Sequence, residues 1–110
     1  MIKGTVRGRS LIITGLNRDV FTSGSKGLSI QFTFDNEWTG LTKTAVFQNG
    51  SISEEIPIEN STVAVPENVL ETPGTMLAIG VHGKNSENTK VITTIIVEKL
   101  VYGGAILCST

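Results

Sequence analysis

Apolar and polar residues alternate with period two through much of the chain. From Gly27 to Asp35, Leu28, Ile30, Phe32 and Phe34 fall on one side and Ser29, Gln31, Thr33 and Asp35 on the other. A strand keeps these two sets apart, whereas a helix would mix them, so the segment predicts a half-buried strand. Met76 to Gly83 repeats the pattern, with Leu77, Ile79 and Val81 opposed to Ala78, Gly80 and His82. Thr42 to Gln48 offers Ala45 and Phe47 as its inward pair. Ile52 to Ile58 sets Ile52, Ile56 and Ile58 on one face, with Glu54 out of pattern. Thr62 to Val65 is a shorter strand, and Ile2 to Val6 and Ser10 to Thr14 read as short edge strands.

The connections carry turn chemistry. Asn49-Gly50 lies between Phe47 and Ile52, and this dipeptide signals a type I′ hairpin in which both central residues take positive φ. Glu59-Asn60 marks the next turn, and the polar run from His82 to Asn88 predicts a long hairpin loop. Pro66 to Leu70 fits one helical turn with Pro66 near its first position, ending before Pro73-Gly74. No segment sustains apolar positions at helical spacing. About seven or eight short strands with turns between them predict an all-β fold, an immunoglobulin-like antiparallel β-sandwich, with a small barrel as the alternative. The 110-residue chain is long enough for one modest core. Tyr102-Gly103-Gly104-Ala105 marks the domain end, which assigns 1–103 to the sandwich and 104–110 to a tail or the start of a linker.

The last predicted strand breaks the rule. Between Lys90 and Val101, Val91, Ile95, Val97 and Val101 occupy one phase and Ile92, Ile96 and Leu100 the other. A sandwich strand with one wet face needs a single apolar set. Either this strand crosses between sheets or is covered by the N-terminal segment, or its second face is an interface to another protein or another copy. The second reading makes Ile92, Ile96, Leu100 and Tyr102 candidate interface residues.

Composition narrows the function. Charged residues are 17% and the formal net charge is −1, so neither nucleic acid nor an anionic membrane is an expected partner, since both require clustered Lys and Arg. No apolar run is long enough to span a bilayer, and the start Met1-Ile2-Lys3-Gly4 lacks the apolar stretch of a signal peptide. Synthesis in the cytoplasm is therefore expected. The sequons at Asn49 and Asn60 then read as turn chemistry. The single Cys108 permits no internal disulfide.

Reactive groups are few. The one histidine, His82, excludes a metal site of paired imidazoles, and Cys108 has no histidine near it in sequence. Gly24-Ser25-Lys26-Gly27 fails the spacing of a phosphate loop. Asp35, Asn36 and Glu37 fit an Asx turn better than a calcium loop. Glu54, Glu55 and Glu59 read as exposed strand and turn residues. No catalytic residue, metal ligand or cofactor is expected. Among the aromatics, Phe32, Phe34 and Phe47 fit the core by alternation. Trp38, before Thr39-Gly40-Leu41, either caps the core or projects as a contact, and the cap is the favoured reading.

One stretch is recognisable. Phe32-Thr33-Phe34-Asp35-Asn36-Glu37-Trp38-Thr39-Gly40-Leu41, followed by Lys43-Thr44-Ala45-Val46-Phe47 and Asn49-Gly50, resembles a pattern in phage and prophage structural proteins of Gram-positive bacteria. Val65-Pro66-Glu67-Asn68-Val69-Leu70, Pro73-Gly74, Leu77 to Gly83, Thr93-Thr94 and Gly103-Gly104-Ala105 are similar to the same family. The likeness spans residues 2–107, and its motifs are structural rather than chemical. It implies the N-terminal β-sandwich by which tail, baseplate or head fibres attach to the particle, similar in plan to the upper baseplate proteins of lactococcal-type phages. A linker, a stalk and a receptor-binding domain usually follow in that family. Here the sequence stops at Cys108-Ser109-Thr110, so the anchoring role is expected rather than host-receptor binding.

The resulting expectation is a virion structural protein, made in the bacterial host, that contacts other phage structural proteins and forms a homo-oligomer, with a trimer implied by the resemblance. A carbohydrate-binding module for host cell-wall glycans is the alternative, and it requires an exposed Trp38 as stacking platform.

Overall fold

The computed structural model describes residues 2–15 and 20–105. Cys108 and most of the expected tail lie outside them. The chain is an all-β sandwich of two sheets. The smaller sheet has the order β2-β1-β3-β6, built from β1 (Ile2–Arg7), β2 (Ser10–Thr14), β3 (Ser29–Phe34) and β6 (Thr62–Ala64). The larger contains β4 (Thr42–Asn49), β5 (Ile52–Pro57), β7 (Met76–Lys84), β8 (Val91–Thr93) and β9 (Val97–Leu100). Its order is β5-β4-β7, with β8 and β9 following one another along the free side of β7.

The alternation sorts side chains as expected. Ile30 and Phe32 of β3, Ala45 and Phe47 of β4, and Leu77, Ile79 and Val81 of β7 all meet between the sheets at 2% exposure or less. Glu67–Leu70 forms a 3₁₀ turn after Pro66, burying Val69 and Leu70 against the end of the core. Two expectations shift. The segment Ile2–Arg7 is an interior strand, antiparallel to β2 and parallel to β3. Its inward Ile2 and Val6 are fully buried, which a short edge strand would not require.

The second shift is in the β4–β5 hairpin. Asn49 pairs with Ile52, so the two loop residues are Gly50 and Ser51 rather than Asn49 and Gly50. Only Gly50 has positive φ (61°), the signature of a type II′ turn with glycine at its first central position. Asn49 is therefore a ladder residue on the inward phase of Ala45 and Phe47. Its amide donates to the Val69 carbonyl (3.0 Å) and the Thr75 hydroxyl (2.8 Å), tying the hairpin to the 3₁₀ turn and the loop after it.

Trp38 closes one end of the core with no exposed surface. It ends the 3₁₀ turn Asn36–Trp38, which Asp35 caps by accepting from the Glu37 amide (3.1 Å). The second Asp35 oxygen accepts from the Gly8 amide (2.7 Å), and Trp38 Nε1 donates to the Gly8 carbonyl (2.8 Å). One turn thus satisfies both backbone groups of Gly8 and fastens β3 to the β1–β2 hairpin. The Asx reading of Asp35-Asn36-Glu37 holds, and Trp38 is the core cap.

Candidate interaction face

The two-faced segment resolves into two strands joined by a bulge. β8 pairs with β7 through His82 opposite Thr93, and β9 through Ile79 opposite Val97. Between these pairs, Gly80 and Val81 face the longer run Thr94, Ile95 and Ile96, so β8–β9 carries one extra residue. An inserted residue breaks the ladder and shifts the side-chain phase. Thr94 repairs the break: its amide donates to the Val81 carbonyl (2.8 Å), and its hydroxyl accepts from the Val81 amide (2.9 Å). The next amide, on Ile95, donates to the Arg9 carbonyl in the turn between β1 and β2 of the smaller sheet (2.8 Å). The bulge therefore joins the two sheets at this edge.

The phase shift divides the candidate interface residues. Ile92 lies before the bulge and points into the core at 2% exposure, so it is not an interface residue but part of the packing. Val97 and Val101, after the bulge, turn inward on the opposite parity, Val101 completely. Ile96 (55%), Leu100 (39%) and Tyr102 (51%) are exposed. Val91 and Ile95, assigned by simple alternation to the same face as Val101, are instead exposed as well.

Ile96 and Leu100 belong to the outer face of the larger sheet. Ile96 lies over Gly80, with its Cγ1 only 3.5 Å from where a Cβ on Gly80 would sit. Met76 pairs with Leu100, Ala78 with Glu98, and Val46 with Gly80. These residues form a shallow row whose floor is Gly80 and Ala78 and whose apolar rims are Ile96, Leu100, Met76 and Val46, with the exposed Glu98 standing between Ile96 and Leu100 on the same phase. Ile96, Leu100 and Met76 are its exposed large apolar members, and neighbouring exposed apolar side chains of this kind mark interaction sites. Beside it His82 Nε2 and Glu55 Oε1 stand 3.0 Å apart.

The outer face of the smaller sheet is of another kind. Lys3, Thr5, Arg7, Gln31, Thr33 and Thr62 occupy the outward phase there, and Ile12 is its one exposed large apolar residue. Water solvates such a face at no cost, whereas the Ile96–Leu100–Met76 row gains free energy by being covered.

Among the described residues, the other sequence candidates show no convergent chemistry. An open groove of about 490 Å³ is lined by Thr22 to Lys26 and Gly103 to Ala105. Its backbone amides at Ser23, Gly24 and Ser25 already donate to Tyr102, Leu70 and Thr22, and Lys26 stands 3.5 Å from Glu67. Nothing there is directed at a phosphate. Among the described residues no three His, Cys, Asp or Glu side chains cluster to hold a metal ion. Among the described residues no helix is long and apolar enough to cross a membrane. The buried Trp38 cannot act as a glycan-stacking platform, which removes the feature on which the carbohydrate-binding alternative depended.

Sequence reasoning found Ile96, Leu100 and Tyr102 but missed Met76, Val46 and the floor at Gly80 and Ala78. These lie on neighbouring strands, and only the pairing register brings them together. Comparison of the chain with protein-family models, with characterised proteins and with solved structures finds no match.

Proposed function

We propose that this chain is a phage structural module, a β-sandwich that anchors a tail, baseplate or head fibre to the virion through protein–protein contacts and performs no chemistry of its own. The observation that carries the reading is the exposed apolar row of Ile96, Leu100 and Met76 over Gly80 and Ala78. The resemblance of residues 32–50 to phage structural proteins supports it independently. A second copy of the chain is the occupant proposed for the row, and other virion proteins bind the resulting oligomer. At strand spacings of ~4.8 Å and ~3.3 Å per residue, a face four strands wide along β7 covers roughly 500 Å². That is of the order of the ~800 Å² each partner gives to a standard interface, so the sheet face and its rims suffice.

Size-exclusion chromatography with light scattering tests the contact. The wild type should self-associate with rising concentration, a trimer being the stoichiometry the resemblance implies, and Ile96→Glu with Leu100→Glu should remain monomeric with an unchanged β-sheet spectrum. A wild type that stays monomeric at high concentration refutes the self-contact. Mass spectrometry of particles purified after prophage induction in the source strain should detect the chain. Its absence from intact particles would remove the virion assignment.

A further inference from the structure

We propose that Asn49 is a spontaneous deamidation site that the native fold holds shut. Asn49-Gly50 is the only Asn-Gly step in the chain. Glycine after asparagine leaves the following backbone nitrogen unshielded, and asparagine is among the thermally labile residues. In the reaction the Gly50 nitrogen attacks Asn49 Cγ. A C–N bond forms as the Gly50 N–H gives its proton to hydroxide, the Cγ–Nδ2 bond breaks, and the amide nitrogen takes a proton from water and leaves as ammonia, closing a five-membered imide. Water then opens either imide carbonyl, leaving aspartate or isoaspartate at position 49.

The fold opposes each part of this step. Register places Asn49 in the ladder opposite Ile52, so its backbone is held extended rather than free to close the ring. Both Nδ2 donors are committed, one to the Val69 carbonyl at 3.0 Å and one to the Thr75 hydroxyl at 2.8 Å. The Thr75 hydroxyl donates its own hydrogen bond to the Thr72 carbonyl (2.7 Å), which fixes its lone pair toward Asn49. The side-chain amide is thereby held across the gap to the 3₁₀ turn and away from Gly50. Releasing two such neutral hydrogen bonds suppresses the reactive conformer on the order of thirtyfold.

The product cannot restore the lock. A carboxylate only accepts hydrogen bonds, so aspartate at this position would face the Val69 carbonyl oxygen with no proton between them. The hairpin would lose its tie to the Val69 carbonyl, and the Thr75 hydroxyl could hold the carboxylate only by turning its proton away from the Thr72 carbonyl, in the loop whose Gly74 and Thr75 exchange backbone hydrogen bonds with Val101. Deamidation is then a one-way change that loosens the end of the sandwich. This inference does not depend on the virion reading or on self-association.

Peptide mapping by mass spectrometry, which separates Asn, Asp and isoAsp at position 49, tests it during warm incubation at mildly alkaline pH. The native protein should deamidate at least about tenfold more slowly than the same chain in urea, two net hydrogen bonds being the barrier. Thr75→Val, which removes one acceptor, should speed the native reaction on the order of fivefold at matched folded fraction, and Thr75→Ser should restore protection. The folded fraction of each variant is fixed from its urea midpoint, so general destabilisation is separated from loss of the lock. A native rate within twofold of the unfolded rate, or a Thr75→Val rate equal to wild type, overturns the proposal.

Discussion

Replacing Gly83 with alanine would place a methyl group where Trp38 already sits. Gly83 lies on the inward phase of β7, and a Cβ there would stand 2.9 Å from Cζ3 and 3.0 Å from Cε3 of Trp38, and 3.3 Å from Leu41 Cβ. Carbon atoms prefer 3.5–4.0 Å, so something must move. The indole cannot slide away freely, because Nε1 is held by the Gly8 carbonyl and the ring is wholly buried. Overpacking of this kind costs about 1–3 kcal/mol. Gly83 does not have positive φ, so alanine also restricts the unfolded chain and offsets about 0.4–1 kcal/mol. The expected net loss is about 1–2 kcal/mol, which for a domain of this size lowers Tm by roughly 5–10 °C. Urea and thermal unfolding followed by circular dichroism measure it. In the Trp38→Phe background, which removes the ring atoms nearest the new methyl, the cost of Gly83→Ala should fall by about 1 kcal/mol, since contacting sites are coupled. A Gly83→Ala protein as stable as wild type, or one whose cost is the same in both backgrounds, would refute the placement of Trp38 against β7.

Three further outcomes follow from the same geometry. Asp35→Ala removes the acceptor for both the Gly8 and Glu37 amides and should lower stability by about 1–2 kcal/mol in urea titration, while Asp35→Asn, which keeps a cap oxygen, should cost less. Thr94→Val, nearly equal in shape, leaves the Val81 amide without its partner at the bulge. It should cost about 1–2 kcal/mol, and Thr94→Ser should recover most of that in the same titration. The chain has a single tryptophan, so fluorescence reports Trp38 alone. Native emission should be blue-shifted and insensitive to iodide, turning red-shifted and quenchable in urea; quenching in the native state would contradict the core-cap assignment and reopen the stacking surface.

The core was legible because period-two alternation is a local property. Ile30 and Phe32, Leu77, Ile79 and Val81, and Ala45 and Phe47 all face inward as their spacing dictates, and Asp35 caps the turn its neighbours invite. Pro66 likewise starts the short helical turn that its fixed φ favours. The candidate face was legible only in part. Ile96 and Leu100 stood out as excess apolar residues, but their assignment beside Ile92 assumed an unbroken strand.

What the sequence determined by itself was therefore the set of strands, the identity of most of the core and the shortage of reactive groups. Tertiary structure decided where one strand slips against another. The extra residue at Thr94–Ile96 leaves no mark in local periodicity, because it exists only relative to Gly80 and Val81 on β7. It reverses inside and outside within a few residues, so that Ile92 is buried before it while Ile96 and Leu100, of the same parity, are exposed after it. The one-residue offset of the Asn49-Gly50 turn is of the same kind: either pairing suits the dipeptide, and acceptors on Val69 and Thr75, distant in sequence, reward the one that turns Asn49 inward. Alternation states how side chains divide along one strand, and only the partner strand states which division faces the core.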